Sequence, residues 1–113
     1  MECMFSHISG KNSGLMKKAI AFLVKNYPSP ITLQDAAEEV HLNPSYFSSL
    51  FRRTTGLPFR SYLNKVRIEE AKRLLSSTDY PLLDIAIAVG FEDPSYFTKV
   101  FKKYTGVPPS QFR

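Results

Sequence analysis

Two segments of this chain place hydroxyl and cationic side chains along one face of a predicted helix. Each segment begins with Pro-Ser-Tyr-Phe, at residues 44–47 and again at residues 94–97. At about 100° per residue, one stripe of each helix is polar and basic. The stripe consists of Ser45, Ser48, Ser49 and Arg52 in the first segment, and of Ser95, Thr98, Lys99 and Lys102 in the second. Such side chains hydrogen-bond base edges and phosphates, and a narrow stripe fits a DNA major groove, which is about 12 Å wide.

The opposite face of each segment is apolar and recurs at matched positions. It consists of Phe47, Leu50, Phe51 and Thr54 in the first segment, and of Phe97, Val100, Phe101 and Tyr104 in the second. We expect this face to pack against the rest of the domain. A polar stripe on a single helix is usually only a solvated surface, but its recurrence, with the cation in the same place, favours contact with nucleic acid.

The residue types that bind metals or catalyse reactions form no convincing pattern in this sequence. His7, His41 and Cys3 lack metal-ligand spacing, and no glycine-rich phosphate loop or nucleophile–histidine arrangement occurs. Glu69 and Glu70 are adjacent on a predicted helix and diverge by about 100°, so we expect ion pairs with Arg73 or Arg67 rather than acid–base catalysis. The sequence predicts neither an enzyme nor a bound metal or cofactor.

The two polar stripes belong to a longer internal repeat, in which residues 31–63 match residues 80–113. Each copy predicts a short helix, a tight turn and a longer helix, which together form a helix-turn-helix over about 31–56 and about 80–106. Thr32 is a candidate N-cap of the first short helix, whereas Pro81 stands at that place in the second copy. The turns are expected at His41 and Gly90 in left-handed conformation. Asn43-Pro44 and Asp93-Pro94 predict the starts of the longer helices, and Gly56 and Gly106 predict their ends.

The remaining elements are also helical. The apolar spacing predicts a helix over 15–26, which Pro28 and Pro30 end, and a long linking helix over about 58–77. Residues 1–14 are interpreted as a flexible tail or linker remnant, so the domain covers 15–113. A rod of about 30 Å between the two units suits successive major-groove segments on one face of DNA, about 34 Å apart. Two different units in one chain would read an asymmetric site.

The composition restricts the classes of protein. The 113 residues fit one domain, and 15 Lys and Arg against 10 Asp and Glu give a net charge of +5, which favours a polyanionic partner. The longest apolar run, Ala19–Val24, is too short to span a bilayer, and a single cysteine suits a reducing cytoplasm. The sequence therefore predicts an all-α domain that is neither a membrane protein nor a disulfide scaffold.

The pattern resembles the C-terminal DNA-binding domain of AraC/XylS-type bacterial transcription regulators. The resemblance runs from about Leu15 to Arg113, and it is carried by VRIEEAKRLL at Val66–Leu75 and by DIAIAVGFEDPSYFTKVFKKYTGVPPSQFR at Asp84–Arg113. It implies about seven helices, a cytoplasmic, nucleoid-associated activator or repressor, and contact with RNA polymerase near a promoter. It also implies that a longer chain carries a sensor, dimerisation or receiver domain. The polar segment Ser6–Gly14 favours a linker cut from such a chain, whereas the initial Met also suits a free-standing domain.

The resemblance further places the base contacts in the early part of each longer helix. Carried over, they fall on Ser45, Ser48 and Ser49 in the first unit, and on Pro94, Ser95, Thr98 and Lys99 in the second. Family members often have large residues at these positions, and three serines make few bidentate contacts with bases. Our hypothesis is that the first unit mainly positions the domain, while Thr98 and Lys99 carry more of the discrimination.

Phosphate contacts are assigned to cations in or near the same helices. They are Arg52, Arg53, Arg60, Lys102 and Lys103. Each of these could also be an ordinary solubilising charge. The alternative for the whole domain is a helical protein-interaction module without DNA binding, whose basic stripes face an acidic protein.

Overall fold

The computed structural model describes residues 9–113, with side chains from Gly14 onward, and these residues form seven helices and no strands. The helices are α1 (Ser9–Asn26), α2 (Leu33–Glu39), α3 (Pro44–Thr55), α4 (Phe59–Ser77), α5 (Leu82–Ala88), α6 (Pro94–Thr105) and α7 (Pro109–Phe112). The all-α class, the two helix-turn-helix units and the long helix between them are confirmed.

The first helix begins earlier than the sequence predicted. Helix α1 starts at Ser9, six residues before the first apolar position used for the prediction. Serine, asparagine and glycine, which make up five of the six residues 9–14, are weak helix formers, but once a helix has nucleated each added residue gains a backbone hydrogen bond. Residues 9–14, which the sequence assigned to a flexible tail or linker remnant, are therefore helical, and the rest of that segment, residues 1–8, lies outside the described residues.

The chain divides into two compact units. Of the described residues, the first unit comprises Ser9–Asn26 together with Ile31–Tyr62, and the second comprises Tyr27–Pro30 and Leu63–Arg113. Within the first unit, aromatic rings fill the core: the centroids of Phe51 and Phe59 are 5.5 Å apart, and those of Phe51 and Tyr62 are 5.4 Å apart. Edge-on ring pairs at this separation stabilise a core beyond the area that they bury.

The second unit repeats the core of the first. Met16, Ala19 and Leu23 are buried on α1, and Ile68, Ala71 and Leu75 are buried on α4 with the same spacing. The duplicated body is therefore a three-helix unit, because the helix before each helix-turn-helix repeats as well.

The predicted caps and turns of the two helix-turn-helix units are confirmed, apart from the start of α5. Thr32 forms a capping box with Asp35, and Asn43 and Asp93 cap α3 and α6. Gly56 and Gly106 end the longer helices in left-handed conformation with φ of 85° and 89°. The turns contain His41 with φ of 57° and Gly90 with φ of 107°. Pro81 provides no side-chain cap for α5.

Within the second unit, Arg67 holds the segment Tyr27–Pro30, which follows α1. Its Nε donates to the Tyr27 carbonyl at 2.8 Å and its Nη2 to the Ser29 carbonyl at 2.9 Å. The guanidinium carbon lies 5.6 Å from the centre of the Phe91 ring, and only 5% of Arg67 is exposed. The expected pair of Glu70 with Arg73 is present, and Glu69 pairs with Lys72 at 3.3 Å. Arg67, the other candidate for these carboxylates, acts as a buried clamp on two backbone carbonyls.

In the part of the chain that the structure describes, no helix is both long and apolar enough to cross a membrane. Within the same residues, no three His, Cys, Asp or Glu side chains come together as a potential metal site.

Candidate nucleic-acid interface

Helix α3 of the first unit is fixed at its start by Asn43. The Asn43 Oδ1 accepts hydrogen bonds from the backbone N–H of Ser45 at 2.8 Å and of Tyr46 at 3.3 Å. Pro44 occupies the first helical position, where its missing N–H costs nothing. Because the apolar face of α3 is buried at Phe47, Leu50 and Phe51, the opposite stripe faces outward.

The predicted contacts of the first unit differ in accessibility. Ser45 and Ser49 are exposed, as are Arg52 and Arg53 in the last turn of α3. Ser48 is half-buried and lines an open hollow of about 330 Å³ together with Thr32 and Arg60. The fold therefore brings Ser48 and Arg60 to one hollow, beside the exposed serines.

Helix α6 of the second unit begins in the same way. The Asp93 Oδ1 accepts from the Ser95 N–H at 2.9 Å, and Pro94 follows the cap. Pro94, Ser95, Thr98 and Lys99 are all exposed. The Thr98 hydroxyl donates to the Pro94 carbonyl at 3.1 Å, so its oxygen can still accept a hydrogen bond. Thr98 can thus touch a thymine methyl or accept from a base, while Lys99 can donate.

Two neighbouring cations lie in the last turn of both α3 and α6. Lys102 and Lys103 are exposed in the last turn of α6, and the Lys103 Nζ lies 6.0 Å from the centre of the Tyr104 ring. Cations at a helix C-terminus are favourable even without a ligand, because they oppose the negative end of the helix dipole. Their position is thus compatible with phosphate binding and with helix stabilisation.

Two tyrosines at the start of these helices were absent from the predicted contacts. Tyr46 and Tyr96 are 46% and 42% exposed, although both belong to the repeated Pro-Ser-Tyr-Phe. The Nδ2 group of Asn64 on α4 donates to the Tyr96 hydroxyl at 3.1 Å. The repetition of the tyrosine could have drawn attention to it, whereas no local signal in the sequence pointed to Asn64.

This fold, with two capped helices that turn polar and basic stripes outward, defines a double helix-turn-helix domain. A family model described as a helix-turn-helix domain matches residues 36–113. The melibiose operon regulatory protein of Escherichia coli K12 is 38% identical over 98 residues, which are 87% of this chain and 32% of that protein. This chain therefore spans about a third of the length of that relative.

Solved structures share the fold. The C-terminal domain of AraT, a response regulator from Geobacillus stearothermophilus, matches with a TM-score of 0.84 and 35% identity, over 88% of this chain and 83% of that one. The DNA-binding domain of AdpA, in complex with a target DNA, matches with a TM-score of 0.82 over 86% of this chain and 87% of that one. At 23% identity, the second likeness shows the fold alone. The chain belongs to the AraC-type helix-turn-helix family of transcription regulators.

Proposed function

We propose that this domain binds double-stranded DNA with sequence preference by placing α3 and α6 in successive major-groove segments. The proposal rests on the duplication of one kind of helix, and we call α3 and α6 the recognition helices. Asn43 caps α3 and Asp93 caps α6, and each helix buries an aromatic face and turns a polar face outward. Because the two outward stripes differ in sequence, one chain would read an asymmetric site.

Within this interface we assign different tasks to different side chains. Ser45, Ser48, Ser49, Pro94, Ser95, Thr98 and Lys99 would approach the base edges. Arg52, Arg53, Arg60, Lys102 and Lys103 would contact phosphates and so set the register on the duplex. The role is one of binding, with no catalytic step.

The whole protein would be a bacterial transcription regulator that acts in the cytoplasm at the nucleoid. Because the curated relative is about three times as long, we propose that a sensor, dimerisation or receiver domain accompanies this one. Contact with RNA polymerase near a promoter would convert DNA binding into regulation, as activation or as repression.

The proposal is tested by selecting duplexes from a random pool with the purified chain, in moderate salt and with excess non-specific competitor. We expect enrichment of a site without twofold symmetry, which the chain then binds as a labelled duplex. A pool that shows no enrichment and no retained duplex would favour the protein-interaction module. An enriched palindrome would contradict the reading of one site by two different units.

A further inference from the structure

Tyr96 lies in the first turn of α6, two residues after Pro94, and a buried side chain holds its hydroxyl. Asn64 is 7% exposed, and its Nδ2 lies 3.1 Å from the Tyr96 oxygen. The Tyr96 ring also packs against Phe91, with 5.9 Å between the centroids. Both ends of the side chain are thus fixed, although 42% of Tyr96 remains exposed.

The direction of this hydrogen bond decides what the hydroxyl can still do. Asn64 donates, so the Tyr96 oxygen accepts and its own O–H remains available as a donor. The Asn64 Oδ1 is buried and has no hydrogen-bond partner among the described residues. If the Asn64 amide were turned by 180°, its two N–H donors would lie buried without a partner where the Oδ1 now lies. Buried N–H groups without partners are rarer than under-satisfied carbonyls, so the orientation in which Asn64 donates is favoured.

The position of Tyr96 on α6 determines which part of DNA it can meet. Tyr96 lies about 60° around the helix from Lys99 and about 20° from Lys103, at the border of the polar stripe. The middle of a stripe that enters a groove faces the base edges, whereas its borders face the sugar–phosphate walls. The tyrosine hydroxyl is among the groups that donate to phosphate oxygens.

The first unit lacks this arrangement. Tyr46 occupies the same place in the repeat, but in the described part of the chain no buried amide donates to its hydroxyl. The pairing with Asn64 is therefore a property of the second unit, which is also the unit with Lys99.

We propose that Tyr96 donates a hydrogen bond to a DNA phosphate and that Asn64 is the positioning residue that turns its O–H outward. This inference rests on the proposed DNA binding and adds a neutral contact to the cationic ones. A fixed ring loses little side-chain entropy on binding, so the contact places α6 in the groove at a defined depth.

The test is Tyr96→Phe, which removes the hydroxyl and keeps the ring on Phe91. We expect the affinity to fall about tenfold, both for the selected duplex and for a random duplex of equal length, since phosphate contacts carry no sequence information. The slope of log affinity against log salt should not change, because no charge is lost. Lys103→Gln should make that slope shallower by about one unit. Tyr80→Phe, at an exposed tyrosine outside the interface, should bind like the wild type.

A double-mutant cycle tests the role of Asn64. If Asn64 acts through the hydroxyl, Asn64→Ala should weaken binding in the wild type and have no further effect beside Tyr96→Phe. Thermal unfolding checks that each variant is folded. If the wild type binds DNA and the affinity of Tyr96→Phe lies within twofold of the wild-type value, this inference is overturned while the proposed function stands. Additive losses of affinity in the double-mutant cycle would also overturn it. A wild-type chain that binds no duplex would overturn the proposed function, and this inference with it.

Discussion

Gly90 shows, at the scale of a single residue, how the turn of the second unit depends on a distant side chain. It has φ of 107°, and a Cβ there would lie 2.7 Å from both the Arg67 Nε and the Tyr27 carbonyl oxygen. We expect Gly90→Ala to lower the free energy of unfolding by about 3 kcal/mol or more, because backbone strain adds to overpacking against the clamp. Urea unfolding followed by circular dichroism measures the loss.

Gly106→Ala is the matched control for Gly90. Gly106 has φ of 89° in the same unit, but nothing lies within 4 Å of the Cβ that alanine would add. Only the strain of a left-handed alanine then remains, and we expect a loss of about 1–2 kcal/mol. Equal losses for the two variants would show that the Arg67 clamp does not restrict position 90.

Lys99 and Ser49 test the division of labour between the two units. They occupy equivalent positions, yet a lysine that donates to guanine acceptors discriminates more strongly than a serine that serves either donors or acceptors. We expect Lys99→Ala to relax base preference at one position of the selected site, by about 1–3 kcal/mol, and Ser49→Ala to change it little. Repeating the selection with each variant compares them, and equal relaxation would contradict the hypothesis.

Tyr27 gives the second unit a dependence on high pH. Partial burial and then the charge of Glu70 raise the pKa of its phenol above the ordinary 10.0, and Arg73 lowers it in part. Because the folded state holds the phenol proton more tightly than the unfolded state, the contribution of Tyr27 to the free energy of unfolding is present below about pH 10. This contribution is lost as the pH rises through the pKa of the folded state. Denaturation at about pH 8 and about pH 11 should show a larger loss in the wild type than in Tyr27→Phe. The same loss in both would contradict the assignment.

At the scale of the helices, the sequence predicted most boundaries because local chemistry sets them. The side-chain oxygens of Asn43 and Asp93 accept hydrogen bonds from N–H groups only two or three residues further along the chain. The left-handed Gly56 and Gly106 end the same helices. The start of α1 was missed because it depends on propagation from the buried residues further along, and weak helix formers at residues 9–14 gave no signal.

Asp93 tests how much a cap contributes to α6. Replacing it by Ala removes the acceptor of the Ser95 N–H, so we expect the second unit to lose about 1 kcal/mol of stability. Asp93→Asn keeps an acceptor, as Asn43 does in the first unit, and should retain most of it. Thermal unfolding compares the two. If Asn destabilised α6 as much as Ala, the charge rather than the hydrogen bond would be the stabilising feature.

At the scale of the whole chain, the contacts that local sequence could not reveal are those between distant residues. Arg67 contacts Tyr27 across 40 positions, and Asn64 contacts Tyr96 across 32 positions. Nothing in the spacing of α4 distinguishes Asn64 from a solvated polar residue, and Arg67 was expected to meet a carboxylate of its own helix. The polar stripes were predictable because they repeat, whereas the half-burial of Ser48 follows from the hollow that α3 forms with Arg60.

The net charge of +5 supports DNA binding only through its placement. Asp35, Glu38 and Glu39 concentrate on the exposed side of α2, whereas the exposed Arg52 and Lys102 stand at equivalent places near the ends of the recognition helices. Each phosphate contact releases counterions, so Arg52→Gln and Lys102→Gln should each make the slope of log affinity against log salt shallower by about one unit. Lys25→Gln, at an exposed cation in the last turn of α1, should leave the slope unchanged. Fluorescence anisotropy over a salt series measures all three. If Arg52→Gln leaves the slope at the wild-type value, Arg52 stabilises the helix dipole and does not contact DNA. If Lys25→Gln changes the slope as much as the other two variants, the slope reports the total charge of the protein rather than individual phosphate contacts.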